Sequence, residues 1–247
     1  MYMTTRGLVL RIADYNDRDC LLTLLTPNYG KLTVKARGLR RKNSPLTAPC
    51  QLLAYSEFTL FEYKDMYSIN EAATIELFQP LRRDLCKLTL GTYFVQVSEL
   101  ICLEDQPSPE LLSLVLNCLY ALSKLDLHEM LVKSVFELRA ATIAGYMPDL
   151  DGCSVCGDEN PDRFNISSGQ LSCSNCQSNA VSGIRMPITP AVLQAMRYIV
   201  SCDAKQIFSF QLGTENLGLL SGLTEAYLSA QLECGFSALD FYKSLLL

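Results

Sequence analysis

Lys31-Leu32-Thr33-Val34-Lys35-Ala36-Arg37 alternates polar and apolar side chains, and Gly38-Leu39-Arg40-Arg41-Lys42 continues it without one acidic residue. A period of two places successive side chains on opposite faces of a strand. Leu32, Val34 and Ala36 should face a core, and Lys31, Thr33, Lys35 and Arg37 should share the other face. Gly38 should end the strand, so that Arg40, Arg41 and Lys42 ride on a flexible loop. Similar segments flank this one. Gly7-Leu8-Val9-Leu10-Arg11-Ile12 is mostly aliphatic, and Cys20 to Leu25 is a short apolar run closed by the turn cluster Thr26-Pro27-Asn28-Tyr29-Gly30. Gln51 to Phe61 and Met66 to Leu77 read as two longer strands joined near Glu62-Tyr63-Lys64-Asp65. Five strands in about 75 residues, with no long helix between them, predict a small closed or nearly closed barrel.

After Pro80 the period changes. Leu81, Leu85, Leu88, Phe94, Val97 and Ile101 recur at helical spacing. Ser108-Pro109-Glu110 is a helix start, with Ser as cap and Pro at the first position. A third helix is expected from about Leu127 to Ala144, stopped by Gly145, and three more after Thr189-Pro190. The fold class is therefore α+β and multidomain, with a barrel over 1–79 and a helical domain over 80–247. A polar, loop-like, Cys-rich module is inserted at about 150–180.

That module carries the clearest chemistry. Cys153/Cys156 and Cys173/Cys176 are two Cys-x-x-Cys knuckles separated by sixteen residues. The spacing predicts one structural zinc ion held by four thiolates, a closed shell with no open position for catalysis. The remaining seven of the eleven cysteines are scattered in mostly apolar surroundings, which suits a reducing cytoplasm better than a disulfide framework. Met1 to Arg6 has no secretory apolar run behind it, and no stretch is apolar for the length of a membrane span. One histidine, His128, and no phosphate-loop or dinucleotide fingerprint leave little for a catalytic reading, so no enzyme is expected.

Charge is uneven. The chain is acidic, at −5, but residues 1–80 hold ten Lys/Arg against eight Asp/Glu. Lys31, Lys35, Arg37, Arg40, Arg41 and Lys42 crowd into one strand and loop, which can follow a phosphate backbone with salt-sensitive affinity. Tyr29, Tyr55, Phe58, Phe61, Tyr63 and Tyr67 are interleaved nearby. Some could stack on bases, although core or turn roles suit most of them.

Taken in order, several stretches give the chain a family likeness. They are Arg6-Gly7-Leu8-Val9-Leu10, Gly30-Lys31-Leu32, Lys35 to Ser44, the Leu52–Phe61 strand, and Leu81-Arg82-Arg83-Asp84-Leu85. Next come Phe136-Glu137-Leu138-Arg139 and Gly145-Tyr146-Met147-Pro148, followed by the knuckles. The chain resembles the RecO family of bacterial DNA repair proteins. The resemblance implies an OB-fold front domain that binds single- and double-stranded DNA and anneals complementary strands. It also implies work with RecR to load RecA on strands coated by single-strand-binding protein, in the cytoplasm at the nucleoid. For the acidic, apolar-tipped tail of single-strand-binding protein, Lys133 and Arg139 are the candidate contacts. Some members of the family lack the zinc cysteines; this chain has all four. The alternative is a zinc-ribbon adaptor in transcription or translation without annealing activity.

Overall fold

The computed structural model of the chain describes residues 2–64, 66–176 and 179–246. Five strands close into a barrel: β1 (Tyr2–Asp14), β2 (Cys20–Thr26), β3 (Gly30–Ala36), β4 (Tyr55–Tyr63) and β5 (Met66–Glu76). Their order is β1-β2-β3-β5-β4, with β3 and β5 parallel and the other neighbours antiparallel. This is the closed barrel that the strand pattern predicts, in the OB-fold arrangement that the family resemblance implies. β1 serves both halves: Tyr2 to Leu8 pair with β4, and Leu8 to Asp14 pair with β2. A register shift between Val9 and Arg11 lets the strand bend from one partner to the other. The alternation in β3 holds, with Leu32, Val34 and Ala36 buried and Thr33 exposed. Val9, Leu22, Leu24, Phe58 and Leu60 join them in the barrel core. Each such burial contributes about 1.5–3 kcal/mol.

Two stretches depart from the expectation. β4 begins at Tyr55 rather than Gln51, because Leu53 takes a left-handed conformation (φ 64) and sinks beside β1. There the Leu53 N–H donates to the Val9 carbonyl (3.1 Å), and the Val9 N–H to the Ala54 carbonyl (3.0 Å). The apolar run at 52–54 is thus tied to β1 without extending the strand, with Ala54 in the barrel core and Leu53 against Gly91. The connection after β3 is also not a free loop. It is a series of turns pinned by Leu46 and Cys50, which enter the barrel core. Of the predicted Glu62–Asp65 turn, Tyr63 pairs with Met66, and Asp65 lies outside the described residues.

Among the described residues six α-helices follow: α1 (Leu85–Ile101), α2 (Pro109–Lys124), α3 (Glu129–Ile143), α4 (Pro190–Ser201), α5 (Thr214–Leu232) and α6 (Ser237–Leu245). Packing divides the chain differently from the strand-to-helix change near residue 80. One compact unit holds residues 2–125 and 236–246; the other holds 126–235.

In the first unit, Asp84 caps α1 by accepting the Lys87 N–H (3.1 Å). Ser108 stands at the start of α2 as expected, but its hydroxyl donates back to the Gln106 carbonyl (3.2 Å) instead of capping the helix. The barrel is fastened to the α1–α2 connection, where Leu103 O accepts the Lys31 N–H (3.0 Å) and Pro27 O accepts the Ser108 N–H (3.1 Å). Gly30 makes that seam possible: it has φ 58, and a Cβ there would overlap the Leu103 and Gln106 carbonyl oxygens. α6 returns to α1 and sets Phe236 edge-on against Tyr93, at 5.4 Å between ring centres.

In the second unit, α3 and α5 form the main helix pair. The Cys-rich stretch is more ordered than its composition suggests. β6 (Arg163–Asn165), β7 (Gln170–Ser172) and β8 (Arg185–Pro187) make a small antiparallel sheet in the order β7-β6-β8. Phe164 packs edge-on against Tyr227 of α5 (5.3 Å), and Gln231 Nε2 donates to the Ile166 carbonyl (2.9 Å). Among the described residues, no helix is long and apolar enough to cross a membrane.

Candidate nucleic-acid interface and metal centre

The register of β1, β2 and β3 brings Asp14, Cys20 and Ala36 side by side, so the β1–β2 loop and the basic loop after β3 leave the barrel at the same end. The β1–β2 loop is a closed turn. Asn16 Oδ1 accepts the N–H groups of Arg18 (3.0 Å) and Asp19 (2.8 Å), and the Asp19 carbonyl accepts the Tyr15 N–H (3.1 Å). Asp19 then reaches across to the basic segment. Its Oδ1 accepts the Gly38 N–H (2.8 Å), and its Oδ2 meets Lys35 Nζ at 3.2 Å. The Arg40 N–H donates to the Arg18 carbonyl (3.1 Å). The Gly38 N–H first, then the Asn16 amide, hold the Asp19 carboxyl down at about 2. The loop that the sequence marks as flexible is therefore tied to its neighbour.

The six predicted cations separate into two groups. Lys35 is mostly covered and spent on Asp19, Arg40 pairs with Asp14 (3.0 Å), and Lys31 Nζ donates to the Glu99 carbonyl (3.4 Å). Arg37, Arg41 and Lys42 are exposed, and no carboxylate partners them among the described residues. Arg82 adds little to this surface: its guanidinium donates to the Leu52 carbonyl (2.7 Å), and burial lowers its basicity. Of the aromatic residues, Phe58 is core, and Tyr29 and Tyr63 are exposed. Tyr15 escapes the sequence reading. It is half exposed, and Lys35 Nζ lies 4.3 Å from the centre of its ring.

The four knuckle cysteines meet as predicted. Their sulfurs all lie within 4.8 Å of one another, and Cys156 Sγ and Cys173 Sγ are 3.8 Å apart. Zinc–sulfur bonds of about 2.3 Å in a tetrahedron give sulfur–sulfur edges of about 3.8 Å, so the cluster is of the right size for such an ion. The first knuckle is a tight turn in which the Gly157 N–H donates to the Cys153 carbonyl (2.9 Å). Burial opposes ionisation of the Cys153 thiol, yet the N–H groups of Cys156, Val155 and Cys173 point at its sulfur and bring it down to about 6. Desolvation and the neighbouring thiols push Cys173 up, and the Cys156 thiol first of all raises Cys176 to about 11. A first thiolate thus makes the next harder to form, an opposition that a dication in the middle removes.

The two candidate partner contacts fare differently. Lys133 is buried, with Glu137 Oε1 at 3.0 Å, Glu225 Oε2 at 2.9 Å and the Ser221 carbonyl at 3.3 Å. Its ammonium is consumed inside the α3–α5 interface and is not offered to an outside chain, because the amphipathic pattern of α3 alone does not say which face α5 covers. Arg139 is half-buried. Its Nη1 donates to the Val200 carbonyl (2.8 Å) in the last turn of α4, where a cation complements the helix dipole.

Two family models match the chain. "Recombination protein O N terminal" covers residues 1–78, and "Recombination protein O C terminal" covers residues 82–239. A DNA repair protein RecO from Acetivibrio thermocellus is 35% identical over 246 residues, covering 99% of this chain and 97% of that protein. RecO proteins of Alkaliphilus metalliredigens and a Thermoanaerobacter species are 27% and 28% identical over at least 98% of both chains in each case.

Proposed function

The chain belongs to the recombination protein O (RecO) family, and from that premise we propose that it is a DNA repair and recombination mediator that binds DNA and anneals complementary strands. Its work with RecR and RecA on strands coated by single-strand-binding protein, in the cytoplasm at the nucleoid, is part of this reading. The observation that carries the DNA-binding step is the trio Arg37, Arg41 and Lys42, exposed and unpaired at one end of a closed OB barrel. Two polyanions approach each other only when their charge is neutralised, and cations with no internal partner supply that without first breaking an ion pair. The protein as a whole is acidic, so the neutralising charge has to be local. In this reading the protein works by holding strands rather than by turnover.

One zinc ion would be held by Cys153, Cys156, Cys173 and Cys176. It would supply cross-linking to a module whose strands are three residues each, too short to stand alone. For the apolar-tipped acidic tail of single-strand-binding protein, Arg139 stays in the reading and Lys133 leaves it. A groove of about 610 Å³ along α4, lined by Ala195, Tyr198, Phe210 and Leu212, offers apolar surface in the same unit.

The test is to reverse Arg37, Arg41 and Lys42 to Glu and measure oligonucleotide affinity at two salt concentrations. Affinity should fall, and the salt slope should drop by about 0.7 for each lost cation that touches a single strand. Unchanged affinity and slope would reject the interface. A strand-annealing assay separates this reading from that of a zinc-ribbon adaptor, which would leave annealing at the protein-free rate.

A further inference from the structure

The basic loop accounts for phosphate attraction, but cations alone do not distinguish a single strand from a duplex, since both carry phosphates. Discrimination needs a group that reads an unpaired base, and an aromatic ring does so because every base has a π-face. Tyr15 has the required placement. It stands at the head of the β1–β2 turn, which leaves the barrel beside the basic loop. Asp14 before it is paired with Cys20, its own N–H donates to the Asp19 carbonyl, and Asn16 Oδ1 closes the turn that follows, so ordering the platform costs little when a ligand arrives. Lys35 Nζ lies over the ring at 4.3 Å, and half of the residue remains open. The ammonium is itself held by Asp19, so the stack of Asp19, Lys35 and Tyr15 is assembled before any strand binds. Tyr29, by contrast, lies in the β2–β3 turn at the opposite end of those strands, and the lysine over the exposed Tyr63 ring stands farther off, at 5.3 Å.

We propose that Tyr15 is a base-stacking platform: one unpaired base of a single strand lies on its open side while Arg37, Arg41 and Lys42 hold the adjacent phosphates. This rests on the DNA-binding reading above and adds to it the selection of unpaired over paired strands. No bond is made or broken.

The chain contains no tryptophan. Tyr15→Trp in the full-length protein therefore places the sole indole at the proposed platform. A saturating oligonucleotide should quench its emission, and an abasic strand of equal length, with the same phosphates and no bases, should not. Tyr15→Ala should weaken single-strand binding by roughly 5- to 100-fold and leave duplex binding within about twofold, while Tyr15→Phe should keep single-strand affinity. Equal quenching by the abasic strand, or an equal loss for single strand and duplex in Tyr15→Ala, overturns the platform. If the charge reversals weaken binding while the indole emission of the Tyr15→Trp protein does not respond to the oligonucleotide, the platform alone falls. If the charge reversals do nothing, the interface falls and the platform with it.

Discussion

The Asp19 carboxylate accepts the Gly38 N–H and the Lys35 ammonium together, so one side chain fixes the root of the basic loop. Its ionisation is held down at about 2, below the unfolded value of about 3.9. A depressed carboxyl contributes stability that is present above the unfolded value and lost as pH falls through the folded one. The clamp should therefore be constant from pH 5 to 8 and open only in acid, between about pH 4 and 2. Asp19→Asn at pH 7 should speed amide exchange at Gly38 and Arg40 by on the order of tenfold, with Leu22 and Val34 unchanged. Unaltered exchange at Gly38 would mean that the loop is held by something else. At this scale, local chemistry was legible in the sequence: the four cysteines announce themselves because a metal knuckle is built from neighbours in the chain. Asp19 and Tyr15 did not, because they act on Lys35 through a pairing of β2 with β3 that no short window of sequence contains.

Between elements, the buried cluster joining α3 to α5 makes the sharpest prediction. Lys133 and Glu137 are one turn apart on α3, almost without solvent, and Thr224 Oγ1 on α5 donates to Glu137 Oε2 (2.7 Å). Burial raises the Glu137 carboxyl above its ordinary range, and Lys133 pulls it back only in part. Removing the lysine leaves two acids without their counter-charge, Glu137 fully buried and Glu225 partly open to solvent. Lys133→Met should cost about 3–5 kcal/mol in urea unfolding, and Lys133→Met with Glu137→Leu should recover most of it. In the single variant the folded Glu137 holds its proton at a pH where the unfolded one, near 4.3, has lost it. Its stability should thus be greatest below about pH 4 and fall as pH rises toward 8. A flat pH profile with a loss under 1 kcal/mol would show the cluster to be wet and plastic. The helices were readable from spacing almost to their ends, since their period repeats over many residues. The β6–β8 sheet was not, because strands of three residues carry too little alternation to read, and 51–54 is apolar without being strand because Leu53 turns left-handed and packs at Gly91 of α1 while Ala54 alone enters the barrel core.

For the whole molecule, the decisive fact is that the chain leaves the first unit after residue 125 and re-enters it at 236. The change from strand to helix near residue 80 was legible as a change of period; the return of α6 to α1 was not, because an apolar face does not name its partner. Two perturbations should therefore act in opposite places. Truncation after Gly235 removes Phe236, Leu239 and Tyr242, all at most 6% exposed, from the barrel's own unit. At about 1.5–3 kcal/mol for each large apolar side chain, the loss is comparable to the 5–15 kcal/mol that holds a typical domain together. Barrel amides such as Leu22 and Val34 should lose protection, and single-strand affinity should fall at least tenfold, although every deleted residue is remote in sequence from the basic loop. Chelation should do the reverse. It should release one zinc per chain and expose amides at Cys153, Ser154 and Ile166, where the short sheet depends on the knuckles. Single-strand affinity should stay within about twofold, because Arg37, Arg41, Lys42 and Asp19 all belong to the other unit. Hydrogen exchange and oligonucleotide binding on the same two samples decide it. Should chelation cost as much affinity as truncation, the metal would serve the DNA surface directly, and the division of labour between barrel and knuckles would have to be given up.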